Sequence, residues 1–167
     1  SIYDALLIQD KVSLKKLPTY RGDKDWKNLP VGTITTYETI RIASDASVRA
    51  ALKSLKGRKH HAYPVMIFNE VESRRELHAM ITHHELLDAE RDNPQQKVST
   101  LVEGQRVISV DPRDSIRDVA NTLVTADKMQ VPVVSKTDPK RLIGIVTLHD
   151  IARQQNAIED RLQGQAS

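Results

Sequence analysis

The chain has 167 residues, a formal net charge of +3 and a pI near 9.2, with 39% hydrophobic and 28% charged residues, which suits a soluble globular protein with one ordinary core. No Lys/Arg run exceeds two residues, and one Trp, four Tyr and one Phe form no stacking series, so the composition argues against a nucleic-acid surface. The absence of cysteine excludes disulfides and thiol chemistry.

No stretch approaches the roughly 18 apolar residues of a membrane span, and no signal peptide is visible. The chain begins Ser1-Ile2-Tyr3 and its first methionine is Met66, so it reads as a piece of a longer protein. Ser1 to Pro18 reads as an N-terminal arm. Ile2, Tyr3, Leu6 and Leu7 there suit a short apolar helical face, and Lys15-Lys16 precede the stop at Pro18. Thr19 to Pro30 is polar and reads as a linker, with Trp26 expected to anchor on the body.

From there the chain says one thing twice. Ile40-Arg41-Ile42, Ser47-Val48-Arg49, Leu55 and Tyr63-Pro64-Val65 recur 68 positions later. Their counterparts are Ile108-Ser109-Val110, Ser115-Ile116-Arg117, Leu123 and Val131-Pro132-Val133. Leu77 to Leu86 recurs as Leu142 to Ile151, now 65 positions on, because the loop Asn69 to Glu76 is three residues longer than its partner. Each copy has the same grammar. A short strand (Thr39 to Ala43; Val107 to Val110) leads to a Ser-started helix. Val48, Ala51, Leu52 and Leu55, like Ile116, Val119, Ala120 and Leu123, carry the helical i, i+3, i+4, i+7 spacing. A β-rich run follows (Tyr63 to Phe68; Val131 to Val134), with proline at its second position, where a missing N–H is tolerated. A third strand (Leu77 to Thr82; Leu142 to Thr147) runs into a helix that opens at His83 and at Leu148.

The order β-α-β-β-α, twice, predicts a mixed α/β (α+β) fold of two units that bury their apolar faces against each other as a pseudo-twofold pair. Val65, Ile81, Val133 and Val146 are expected to be buried in strands. The expected organisation is an arm and linker at 1–30, a first repeat at 31–90, a second at 98–156, and a tail at 157–167 that frays from Gly164.

Two short segments have chemistry to offer. Thr147-Leu148-His149-Asp150 sits where a strand meets a helix. A threonine hydroxyl and free helix N–H groups can meet a phosphate. A carboxylate three residues on can accept both hydroxyls of a ribose. The same spacing also makes a capping box, and the residues alone leave the two readings open. In Thr82-His83-His84-Glu85 the longer Glu suits the capping box better. The six histidines lack His-x-x-x-His spacing and cysteine partners, so no metal site is expected. No nucleophile elbow, phosphate-binding glycine loop or Ser/His/Asp set appears, so no catalytic residue is assigned.

This grammar, with Val131-Pro132-Val133-Val134 and then Leu142-Ile143-Gly144-Ile145-Val146-Thr147-Leu148-His149-Asp150-Ile151, resembles the CBS domain, a regulatory unit found in cystathionine β-synthase and many other proteins. The second copy matches closely; the first has Ala79 for Gly144 and Glu85 for Asp150. Ser1 to Asp10 is similar to the segment that follows the last membrane helix of CLC chloride channels and transporters. These resemblances imply a non-enzymatic, cytosolic regulatory domain of a prokaryotic CLC-type protein, on the cytoplasmic side of the cell membrane. Its partners would be the membrane domain of the same parent chain and a second copy, in a homodimer. No cofactor is implied; the ligand would be ATP, ADP or AMP. The Thr-x-x-Asp of the family places ribose and phosphate at Thr147 and Asp150. The adenine would lie against the other repeat at Thr39, Ile40, His60 and His61, with His60 where the family often has a stacking aromatic. Against this stand a CBS-pair sensor on another transporter or an enzyme, and a ligand-free dimerisation module.

Overall fold

The computed structural model describes residues 26–58 and 60–166. The arm and most of the linker lie outside the described residues. Trp26 is described, is 7% exposed, and packs with the core of the second repeat.

The first repeat comprises strand β1 (Ile42–Ala43), helix α1 (Val48–Ser54), strands β2 (Ala62–Asn69) and β3 (Arg74–Thr82) and helix α2 (His83–Asp92). A short helix α3 (Val98–Leu101) leads into the second repeat. That repeat comprises α4 (Ile116–Thr125), β4 (Gln130–Ser135), β5 (Asp138–Thr147) and α5 (Leu148–Ala166). Local signals start the helices of the repeat grammar. The Ser47 and Ser115 hydroxyls accept the N–H groups of Ala50 and Asp118 and so satisfy donors left free in the first turn. In the first repeat β2 is central, parallel to β1 and antiparallel to β3. In the second, β4 and β5 pair antiparallel. Each hairpin has an irregularity in the same place, between Val65 and Met66 and between Val133 and Val134.

The first strand of each repeat is shorter than its sequence suggests. Only Ile42–Ala43 forms β1, and in the second copy a single parallel bridge joins Val110 to Val133. The cause in the first copy is a change of sheet. Thr36 pairs with Ile145 of β5 while Ile42 pairs with Val65 of β2, so the chain between them crosses from one repeat to the other instead of extending either sheet. The tail also differs from expectation. α5 continues through Ala166, and Ile151 and Ile158, seven residues apart on one helical face, are 8% and 4% exposed.

Three clusters make up the interior. One fills the first repeat, one the second, and the third lies between them. The third is built from equivalent positions: Met66 with Val134, Leu77 with Leu142, and the half-buried Met80 with Ile145. Matching residues meeting across one seam is what a pseudo-twofold pair requires. Val65, Ile81, Val133 and Val146 are all fully buried. The lead-in segments cross over. Val31 belongs to the core of the second repeat, tied by its N–H to Asp114 O (2.7 Å). Val98 and Val102 belong to the core of the first, with Val98 N–H on Ala46 O (2.9 Å).

Candidate functional site

A cavity of about 530 Å³ opens at the seam between the repeats. All six residues singled out from the sequence line it: Thr39, Ile40, His60, His61, Thr147 and Asp150. They reach it from four places. Thr39 and Ile40 are on the crossing segment. His60 and His61 are in the loop before β2, fixed at its end by the His83 N–H on His61 O (3.0 Å). Thr147 ends β5 and Asp150 lies in the first turn of α5.

The Thr147–Asp150 pair forms the reciprocal cap. Thr147 N–H donates to Asp150 Oδ2 (3.0 Å) and Asp150 N–H donates to Thr147 Oγ1 (2.9 Å). This does not exhaust either side chain. Among the described residues nothing hydrogen-bonds Asp150 Oδ1, and the Thr147 hydroxyl proton has no acceptor. The equivalent pair in the first repeat is closed. Glu85 Oε1 accepts both the Thr82 N–H (3.1 Å) and the Thr82 hydroxyl (2.8 Å), while Glu85 N–H donates to Thr82 Oγ1 (3.0 Å). One extra methylene lets the glutamate fold back onto the threonine hydroxyl and use up its proton. The cavity beside Glu85 is also smaller, about 270 Å³.

The departure at Ala79 has a physical counterpart. At Gly144 an added Cβ would lie 2.5 Å from both Thr35 Cγ2 and the Thr36 carbonyl oxygen. The bare glycine therefore lets Thr36 pair with β5 through two backbone bonds, Thr36 N–H to Ile145 O (2.9 Å) and Ile145 N–H to Thr36 O (3.0 Å). Ala79, at the matching place on β3, carries the methyl. There the side chain of Gln105 substitutes for a backbone: Met80 N–H donates to Oε1 (2.7 Å) and Nε2 donates to Met80 O (2.8 Å). A carboxamide has the donor and acceptor of a peptide unit and reaches over the methyl. Both clefts are thus walled by a segment from the opposite repeat, by main chain in one and by a side chain in the other.

Further residues line the larger cavity that sequence reasoning did not single out, among them Arg58, His149 and Arg153. Arg153 had a legible signal, since it lies one helical turn beyond Asp150. The role of Gln105 had none, because it depends on a backbone separation that only the folded chain shows. Among the described residues no group of three or more His, Asp or Glu could hold a metal ion. No helix there is long and apolar enough to cross a membrane.

The family model described as "CBS domain" matches residues 31–92 and 102–156. A curated relative, the magnesium transporter MgtE of Enterococcus faecalis, is 32% identical over 120 residues, which are 72% of this chain and 25% of the transporter. The soluble part of a magnesium transporter is 26% identical, with a TM-score of 0.59 over 85% of this chain and 50% of that one. The CBS domain pair of protein MJ0100, in complex with 5′-methylthioadenosine and S-adenosyl-L-methionine, is 25% identical, with a TM-score of 0.62 over 77% of this chain and 96% of that one.

Proposed function

The chain belongs to the CBS-domain family, as a tandem pair of its repeats, and on that premise we propose that it is a non-enzymatic regulatory module that binds an adenine nucleotide in the cleft at Asp150. The observation that carries this reading is the convergence of Thr39, Ile40, His60, His61, Thr147 and Asp150 on one cavity, where Asp150 Oδ1 and the Thr147 hydroxyl proton are unclaimed among the described residues. The adenosyl ligands of the MJ0100 pair support the ligand class. Ribose hydroxyls would go to Asp150, phosphate to Thr147, and adenine to the crossing segment and His60. ATP, ADP and AMP all satisfy that chemistry, and no cofactor is needed.

Both repeats wall the cleft, so a ligand that fits one arrangement of the pair better than another shifts the population toward it. We read the receiver as the membrane domain of the same parent chain, with the module on its cytoplasmic side. A second copy would pair through the helix faces, where Leu87 and Val124 are 39% and 70% exposed. The arm Ser1 to Asp10 supports a CLC-type chloride channel or transporter as the parent. The 32% identity to MgtE supports a magnesium transporter instead, although the chain spans only 25% of that relative. Ion flux in vesicles carrying the full-length parent, chloride in one arm and magnesium in the other, separates the two.

The ligand reading is tested by equilibrium dialysis of ATP, ADP and AMP. Asp150→Ala should weaken binding roughly 10- to 100-fold, the loss of a charge-assisted hydrogen bond. Glu85→Ala should leave binding nearly unchanged. Binding that survives Asp150→Ala and vanishes in Glu85→Ala would put the ligand in the other cleft. A wild-type chain that binds none of the three at millimolar concentration leaves the ligand-free dimerisation module.

A further inference from the structure

The nucleotide reading leaves open which part of the ligand decides the choice, and the inference drawn here rests on that reading. Arg58 and Arg153 line the same cavity. They come from different repeats: Arg58 from the turn after α1, Arg153 from α5 at i+3 from Asp150, on the same helical face. Both are exposed, and neither pairs with a carboxylate among the described residues. The carboxylates on the cavity wall are Glu38 and Asp150, and Asp150 already spends Oδ2 on its helix cap.

The loop carrying Arg58 is tied down from below. Tyr63, 1% exposed, accepts the His60 N–H (3.1 Å) and donates its hydroxyl to Arg58 O (3.3 Å). The Arg58 N–H is itself held by Leu55 O (2.8 Å). The other cleft has neither the tie nor the cations at matching places. Val131 stands at the position of Tyr63, Ala126 at that of Arg58 and Asp88 at that of Arg153. Its own cations, Arg106 and Lys128, occupy other positions.

We infer that Arg58 and Arg153 close on the phosphate of the bound nucleotide from the two repeats, so that the cleft selects phosphorylated adenosines over uncharged nucleosides and disfavours adenosyl ligands with a cationic group. A guanidinium presents a rigid fork that matches a phosphate, and two of them raise the cost of a positive ligand. Because one arginine belongs to each repeat, the phosphate would also be the part of the ligand that reports on the spacing between them.

The test is equilibrium dialysis of the full chain against AMP, adenosine and S-adenosylmethionine, with Arg58→Ala and Arg153→Ala beside the wild type and thermal melts to confirm folding. The wild type should bind AMP at least about tenfold more tightly than the other two. Each variant should lose about tenfold for AMP and stay within about twofold for adenosine, as expected for a phosphate contact of that strength. Arg153→Lys should restore part of the loss, because charge survives without the fork. Adenosine binding the wild type as tightly as AMP would overturn the clamp and leave the nucleoside site standing. So would AMP affinity unchanged in both alanine variants. Failure of the wild type to bind any of the three ligands would instead remove the nucleotide reading underneath, and the clamp with it.

Discussion

Replacing Gly144 by alanine tests how the larger cleft is built. The new methyl would meet the Thr35 methyl and the Thr36 carbonyl oxygen, both at 2.5 Å, and the Thr36 carbonyl carbon at 3.2 Å. Two of those three atoms are main chain, so no side-chain rotation relieves the clash. Either the core accepts overpacking, at about 1–3 kcal/mol, or Thr36 moves away and its two bonds to Ile145 are lost, at about 1 kcal/mol each. The chain takes the cheaper of the two, so we expect a loss of about 1–3 kcal/mol. For a chain of this length that lowers the melting temperature by about 2–12 °C. Urea denaturation followed by circular dichroism reads the loss directly. Since Thr36 leads into the crossing segment, AMP binding should weaken in the same variant. A loss below about 0.5 kcal/mol, the range of ordinary surface substitutions, would refute the claim that glycine is needed for the close approach.

Two further substitutions probe the second repeat. Asp111, 3% exposed, would be raised in pKa by burial, but the Arg113 guanidinium and the N–H groups of Arg113 and Lys136 outweigh that and hold it at about 2, below the ordinary value of 3.8. The folded state thus binds this proton less tightly than the unfolded state. The stabilisation is fully present above about pH 4 and is lost as the pH falls toward 2. Asp111→Asn should therefore cost up to about 2 kcal/mol near pH 6 and progressively less below pH 4 in urea titrations; a pH-independent difference would contradict the assignment. Ile158→Ala should cost about 2–4 kcal/mol, as for other buried aliphatic truncations. A melt unchanged from wild type would mean that the end of α5 contributes nothing to the core.

Much of the fold was legible because the two copies check each other. A hydrophobic run such as Tyr63 to Phe68 is ambiguous alone, but its match with Val131 to Val134 fixes both register and role. Helix starts were legible for a local reason, since Ser47, Ser115 and Thr82 announce their own caps. Strand lengths at Thr39 to Ala43 and Val107 to Val110 were not. At the first of these β propensity is overruled by a chain that crosses from β5 to β2. The hold of Ile158 on the core, seven residues beyond Ile151 on the same face of α5, was not legible either, because it lies past the matched repeat. At the site, the residues near Thr147 and Asp150 followed from motif spacing and resemblance. The tie from Tyr63 to the loop of His60 and the bridge from Gln105 to Met80 are contacts that no spacing encodes.

The crossed lead-ins have a consequence for how such a chain is made. When the first repeat has left the ribosome as far as Asp92, its core still lacks Val98 and Val102. The second repeat, made last, is completed by Val31, which was made early. A cut between Asp92 and Val98 would therefore take Val98 and Val102 from one core and Val31 from the other, so neither repeat is expected to fold as a piece with its own bounds.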